Sequence, residues 1–428
     1  MPNSDPRKWV PRVFDVPWVR HSWLLGVGVV LSTVVGAAVV KLRWVAEEER
    51  IHSRYTEHDV WQKKVTTAIS SSSGGFRTLP SELKMEGIKD PLIVQYALDS
   101  SLQKAMENLF KDYKPDYGAF VAIDAVTGRV LALVSYDGPG RHYRGPKGQN
   151  HLALGASFPS ASVFKVVTAA AAIAEKSFSA DTVIPYNGRN HTLYRSNVLK
   201  ENFNRWTRYI TLKEAFARSV NSVFGKIGVF VLSPASLRDY ASRFGFNRKI
   251  AGDMPAEEGK AIISEDQWEI AEAASGFTKD NRMSPLQGAL IAAAIVNVGI
   301  MMEPWLVGSL HQQDGTKVYE ALPRVATETV DVHTAREMRE LMQETVSRGT
   351  SRGSFRRFRR GMDVVEVGGK TGSLTGDDPP GKYDWFVGYA DSGPSRIAVA
   401  ALTVHEKFWR VKSSYLARRA IEHYFRSP

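Results

Sequence analysis

The sequence predicts an α+β fold built on one mainly antiparallel sheet whose strands come from both ends of a domain. Three observations carry that expectation. A hairpin pattern stands near position 120, an Ala/Val-rich helical block fills the middle, and three strand-like runs precede a final helical segment. With 428 residues, 43% of them apolar and 24% charged, the chain can bury a sizeable core and is not disordered throughout.

The first distinct element is the charge-free run Trp23 to Val40, WLLGVGVVLSTVVGAAVV. At ~1.5 Å per residue it spans roughly 27 Å, enough for one transmembrane helix. Trp18, Trp23 and Trp44 flank it as interfacial aromatics do. Gly36 and Ala38 also suit a signal-peptide cleavage site, but the apolar run continues through Val39 and Val40, which favours an uncleaved anchor. Arg7, Lys8, Arg12 and Arg20 precede it and Lys41, Arg43, Arg50 and Arg54 follow, so the cation count leaves orientation open. The chain therefore divides into a tail (1–22), an anchor (23–40), a juxtamembrane segment and linker (41–90) and a globular domain (91–428). Within 41–90, Glu47 to Thr67 reads as a charge-mixed helix and Ser70 to Gly75 as a flexible linker.

In the domain, Leu92 to Leu98 has strand character, and Leu98, Leu102, Ala105, Met106 and Leu109 then recur at helical spacing. Gly118 to Asp124 and Arg129 to Ser135 form a hairpin. Val163 to Ala174 is too long for a strand and reads as a buried helix. Thr211 and Glu214 make a capping box, and Pro285 occupies a helix first turn ahead of Leu286 to Val298. VVEVGGKTGSL, KYDWFVGYA and SRIAVAALTV read as three strands, and Tyr415 to Phe425 as a closing helix.

Composition removes several chemistries. The chain has no Cys, which excludes thiol nucleophiles, disulfides and iron–sulfur clusters. The ten His residues lack metal-ligand spacing, and no GxGxxG or EF-hand loop is present. Gly369-Lys370-Thr371 resembles the end of a phosphate loop, but the position that needs its first glycine is Val364. Neither a cofactor nor a metal is expected. The net charge of +11 suits anionic lipid or polymer as well as nucleic acid.

Ser-x-x-Lys occurs three times, at Ser81, Ser101 and Ser162. Ser81 lies in a charged segment and Ser101 opens an amphipathic helix whose Lys104 faces water. Ser162 heads the most apolar helix of the domain, which forces Lys165 toward a low-dielectric interior. At i and i+3 the two side chains meet. Lowering a lysine from ~10.4 by about three units requires roughly 4 kcal/mol of destabilisation of the cation, from burial and a second nearby cation. On this pair alone, a buried helix with a snorkelling lysine is the better reading. Two further motifs change that. Ser219-Val220-Asn221 follows the helix begun by Thr211, and Lys370-Thr371-Gly372-Ser373 lies on an expected strand. Gly372 lets a substrate backbone approach, Lys370 can be the second cation, and the hydroxyls can bind a carboxylate.

Ser-x-x-Lys, Ser-x-Asn and Lys-Thr-Gly in this order resemble the signature of the penicillin-recognising serine enzymes. The chain looks most like the transpeptidase domain of penicillin-binding proteins. GAFVAIDAVTGRVLALVS, FPSASVFKVVTAAAAI, ITLKEAFARSVNSVFGKIG, MSPLQGALIAAAIVNVG and GGKTGS…YDWFVGYA are similar to segments of that domain in its order, and the likeness covers about 91–428. It implies a sheet with helices on both faces plus an all-helical subdomain. It implies Ser162 as nucleophile toward the D-Ala-D-Ala bond of peptidoglycan stem peptides and Lys165 as its base. Ser219, tuned by Lys370, would relay a proton to the departing D-alanine, while Asn221 holds the substrate amide. Thr371 and Ser373 would bind the terminal carboxylate, and the backbone N–H groups of Ser162 and Ser373, with Gly372 between strand and substrate, would frame the oxyanion.

The implied partners are peptidoglycan, β-lactams, the membrane and a separate glycosyltransferase, since 41–90 is too short for a polymerising domain; no nucleic acid is implied. A substrate outside the cytoplasmic membrane orients the anchor N-in, C-out. The same serine with water as acceptor would make a D,D-carboxypeptidase or β-lactamase, and an inactive penicillin-binding scaffold would keep the site without turnover. Ala161 stands where the family often has glycine. The basic loop Arg348 to Arg360, with Arg352, Arg356, Arg357 and Arg359, reads as a solvated loop or as a contact for anionic polymer or lipid.

Overall fold

The structure, a computed structural model, describes residues 40–41, 43, 47, 50, 53, 56–72, 76–145, 148–201, 203–356, 358, 362 and 364–426. Apart from Val40, the expected anchor 23–40 lies outside the described residues, as do Ser73 to Gly75 of the expected linker. Among the described residues no helix is long and apolar enough to cross a membrane. The chain divides into two units, Met1–Val60 and Trp61–Pro428. The described residues of the first are helical.

The second unit is organised by a five-stranded antiparallel sheet. Its order is Glu366–Asp377, Pro380–Asp391, Arg396–His405, Tyr117–Asp124 and Val130–Asp137. Arg396–His405 pairs with Tyr117–Asp124, with Ala400 opposite Val121, so the two ends of the domain meet in the middle of the sheet as the sequence predicts. Period-two alternation then sorts side chains by face. Val121, Ile123, Val387, Tyr389, Ala400 and Leu402 enter one core, and Phe120, Ala122, Phe386, Val399 and Ala401 enter another.

Each face is covered by helix. The central helix Pro285–Val296 is buried over its whole length against the first face. Ser284 caps it by accepting from the Gln287 N–H at 3.1 Å, and Pro285 sits where no N–H is needed. Ser100–Tyr113 and Ser413–Arg426 are amphipathic and cover the second face. Beyond the central helix lies a helical block: Lys165–Lys176, Leu212–Ala217, Asn221–Lys226, Pro234–Arg243 and Gln267–Ser275.

The core also recruits residues upstream of position 91. Glu82–Leu83 and Leu92–Tyr96 join Val307–His311 and Lys317–Glu320 in a second, four-stranded sheet. Val65 and Ile69, on the helical residues 61–70, are buried in the main core together with Phe76, Leu83 and Met85. Ser70 of the expected linker completes that helical stretch, and the Ser71 N–H bonds back to the Thr67 carbonyl. The strand expected to reach Leu98 stops at Tyr96, because Asp99 turns the chain by capping the next helix, accepting from the Leu102 N–H at 2.9 Å.

Replacing Ile69 by Ala therefore removes a core side chain, and the expected loss is about 2–5 kcal/mol. Urea unfolding checks it against Lys63→Ala on the exposed side of the same stretch, where a change within about 0.5 kcal/mol is expected.

Candidate active site

Ser162 lies in a 3-10 turn, Ala161–Phe164, that runs into the helix Lys165–Lys176. The turn is clamped from three sides. The Ser160 N–H donates to the Asn281 carbonyl at 2.7 Å, and Trp385 Nε1 donates to the Pro159 carbonyl at 3.0 Å. Gly276 ends the helix Gln267–Ser275 with φ +66°, and a Cβ there would lie 1.9 Å from the Ala161 carbonyl oxygen. Gly372 presses on the turn from the sheet, since its Cβ would stand 3.1 Å from Val163 Cγ2 and 3.3 Å from the Ser160 carbonyl oxygen. The backbone that Gly372 admits closely is thus the chain's own serine turn. Ala161 adopts φ +47°, a left-handed conformation that glycine would adopt more easily, which accounts for the glycine preference at this position.

Lys165 is 0% exposed, as are its chain neighbours Phe164, Val166, Val167 and Ala169. Its Nζ donates to Ser162 Oγ at 2.9 Å and to Asn221 Oδ1 at 2.8 Å, and also to the Ser275 carbonyl. Three acceptors satisfy all three hydrogens of an ammonium, yet burial, and after it the nearby Lys370 cation, holds the amine well below the usual lysine range. Its Nζ lies 5.6 Å from the Phe224 ring centroid.

The Ser-x-Asn motif is delivered by a helix end. Thr211 caps Leu212–Ala217 by accepting from the Glu214 N–H at 3.3 Å. The helix stops in a double return: Val220 N–H to the Ala215 carbonyl at 2.9 Å and Ser219 N–H to the Phe216 carbonyl at 3.1 Å. Such a return needs a left-handed residue, and Ser219 supplies it at φ +55°. Beyond it Asn221 opens the next helix, and its Nδ2 donates to the His191 carbonyl at 3.1 Å, which turns Oδ1 toward Lys165.

Lys370 comes from the strand Glu366–Asp377 and is also 0% exposed. Its Nζ donates to Ser219 Oγ at 3.0 Å and to the Thr371 carbonyl at 2.9 Å, and burial pulls its pKa down to about 7. Each lysine thus holds one serine hydroxyl, and Ser219 and Asn221, two residues apart, tie the pairs together. Thr371 is half-buried with its hydroxyl bonded to that of Thr350, and Ser373 is exposed on the same strand. Both stand at positions alternate to Lys370 and Gly372.

The structure brings Ser162, Lys165, Ser219, Asn221 and Lys370 together, with Thr371, Gly372 and Ser373 along one edge. It adds Ser275, Gly276, His191 and Thr350, which act through backbone groups or a hydroxyl, and Asn190, whose carbonyl accepts from the Asn221 N–H at 2.7 Å. Only Gly276, after a helical segment, left a trace in the sequence, as a C-terminal glycine signal. In the basic loop Arg352 and Arg356 are exposed, while Arg357 and Arg359 lie outside the described residues.

The left-handed Ser219 gives a direct test. Ser219→Gly is expected to be more stable than Ser219→Ala by about 1 kcal/mol in urea unfolding, because only alanine retains the Cβ clash. Equal stabilities would contradict the strained return.

A family model described as the penicillin binding protein transpeptidase domain matches residues 118–422. The peptidoglycan D,D-transpeptidase PbpA of Mycobacterium tuberculosis (strain CDC 1551 / Oshkosh) is 29% identical over 326 residues, covering 68% of this chain and 62% of that protein. Stage V sporulation protein D of Bacillus subtilis (strain 168) is 26% identical over 336 residues, covering 73% of this chain and 50% of that protein. Among solved structures, penicillin-binding protein A from M. tuberculosis as its imipenem acyl-enzyme complex aligns over 78% of this chain and 80% of that one. Its sequence identity is 26% and its TM-score 0.61. The chain spans less than two thirds of the length of the curated relatives reported first. The family match covers most of the chain, including every motif residue of the groove, and the chain belongs to the penicillin binding protein transpeptidase domain family.

Proposed function

We propose that this chain is a peptidoglycan D,D-transpeptidase that forms a serine acyl-enzyme with D-Ala-D-Ala stem peptides and passes the acyl group to the amine of a neighbouring stem. One observation carries the reading: two desolvated lysine amines, each bonded to a serine hydroxyl, meet in one groove. The family membership and the β-lactam acyl-enzymes of mycobacterial penicillin-binding protein A support it.

The chemistry follows from the geometry. A lysine at ~10.4 is almost fully protonated at neutral pH and useless as a base. Lys165, held well below that, gives up its proton readily, and the neutral amine, 2.9 Å from Ser162 Oγ, can accept from that hydroxyl. Ser162 Oγ then bonds to the substrate carbonyl carbon as its proton passes to Lys165. Backbone N–H groups of Ser162 and Ser373 receive the developing oxyanion, a contribution of about 3–4 kcal/mol per donor in such sites. The C–N bond breaks as Ser219, backed by Lys370, gives a proton to the departing D-alanine amine and takes in its place the proton that Lys165 received from Ser162, which leaves Lys165 neutral again. Asn221 and the Thr371 and Ser373 hydroxyls hold the substrate amide and carboxylate. The acceptor amine bonds to the ester carbon and gives a proton to neutral Lys165, and the C–O bond breaks as that proton passes to Ser162 Oγ, restoring the serine and the free amine. Water in place of the amine hydrolyses that ester as a carboxypeptidase does, and water on the acyl-enzyme formed from a β-lactam gives the product of a β-lactamase.

Placement follows from the substrate. The run 23–40 serves as a single membrane anchor with the catalytic unit outside the cytoplasmic membrane, and a separate glycosyltransferase supplies the polymer. The apolar, charge-free composition of that run supports this reading.

A fluorescent penicillin is expected to label the wild-type chain in membranes and to leave Ser162→Ala unlabelled; equal labelling of both would overturn the assignment. D-Alanine release with and without an added amine acceptor separates transfer from hydrolysis. Lys370→Gln tests the coupling of the amines. Removing the second cation raises the Lys165 pKa, so the acidic limb of the acylation rate moves to higher pH. Below the pKa, each unit of rise leaves about tenfold less neutral Lys165, read as penicillin acylation rate against pH.

A further inference from the structure

The segment between the serine helix and Ser219 carries a surface that the acyl-transfer chemistry does not use. Val183–Tyr186 and Arg208–Thr211 form a two-stranded ribbon in which Ile184 faces Ile210 and Pro185 faces Tyr209. Alternation turns Ile184 and Ile210 inward, where both are buried, and turns Val183, Pro185 and Tyr209 outward. Val183 is 58% exposed and Tyr209 68%. Just before the ribbon's second strand, Trp206 is 70% exposed at the apex of a hydrogen-bonded turn. Asn204 Oδ1 accepts from the Trp206 N–H at 2.8 Å, and the Thr207 N–H donates to the Asn204 carbonyl at 3.0 Å. Local hydrogen bonds therefore hold the indole out in water. The Arg205 guanidinium lies 4.8 Å from the Trp206 ring centroid, and the Arg208 guanidinium 4.5 Å from that of Tyr186.

We propose that this ribbon and turn are the docking surface for the glycan strand of the polymer whose stem peptide enters the groove; the proposal rests on the function proposed above. Position is the first argument. Thr211 both ends the ribbon and caps the six-residue helix that finishes beside Ser219. One such helix is about 9 Å long. A stem of about five extended residues reaches at most roughly 17 Å, so the sugar of a peptide whose end meets Ser162 has this neighbourhood within its reach. Chemistry is the second argument. Flat aromatic faces stack on the apolar faces of sugar rings, and guanidinium groups bind the carboxylates that a stem-bearing glycan carries. Between 187 and 211, Arg189, Arg195, Lys200, Arg205 and Arg208 stand against Glu201, a balance that favours an anionic polymer.

The test uses the full chain in mild detergent and the double variant W206A/Y209A. The probe is glycan strands stripped of stem peptides, and binding is measured by co-sedimentation. Wild type is expected to bind, and the double variant to bind at least about tenfold more weakly. Fluorescent penicillin acylation of Ser162 is expected to stay within twofold, which shows that the variant is folded and its groove intact. Unchanged glycan binding, or no binding by wild type, overturns the proposal. So does a double variant that keeps glycan affinity but loses binding to anionic phosphatidylglycerol vesicles, since the patch would then face lipid. Loss of wild-type penicillin acylation with glycan binding retained would count against the acyl-transfer reading and leave the docking surface standing.

Discussion

Everything in the groove depends on keeping two amines dry at hydrogen-bonding distance from two hydroxyls. Water would return both amines toward the ordinary lysine range. The protein excludes it with elements from three parts of the chain: the apolar serine helix, the Ser219 return with Phe216 and Phe224, and the strand bearing Lys370. Each amine is compensated in place. Lys165 has three acceptors and Lys370 has two, so neither is an orphaned charge. Burial depresses the amines while the hydrogen bonds keep them oriented, and a useful base needs both effects.

Strain is concentrated where that geometry is set. Ala161 and Ser219 both adopt left-handed conformations that cost a non-glycine residue about 1–2 kcal/mol. Their neighbours over-determine them. Gly276 and Gly372 lie so close to the serine turn that it has little room to relax, and the paired return bonds of Val220 and Ser219 leave the second turn no alternative. The surrounding packing thus holds the turn of Ser162 and the return at Ser219 against their local preferences.

The long sheet explains how distant motifs share one site. Its C-terminal strands lie beside the first hairpin, and its Lys370 edge faces the helical block that carries Ser162 and Ser219. The ribbon at 183–186 and 208–211 is joined to that block through the helix it caps. Thr211 thus ends the ribbon and starts the helix that leads to Ser219.

Much of this was legible in the residues. Hairpin, capping box, central helix and final strands follow from local pattern, because period and cap chemistry act within a few residues. The motifs named Ser162, Lys165, Ser219, Asn221 and Lys370 to Ser373 for the same reason: each is a short spacing on one element. Local pattern could not place the contributions made by backbone atoms. The Ser275 carbonyl that receives Lys165, the His191 carbonyl that orients Asn221 and the left-handed φ of Ser219 belong to no residue type. Nor could periodicity show that Val65 and Ile69 enter the core, since a charge-mixed helix reveals its buried face only when something packs on it. Sequence alone determined which groups could do chemistry; the tertiary structure decided which of them are dry, since desolvation is a property of everything packed around an atom.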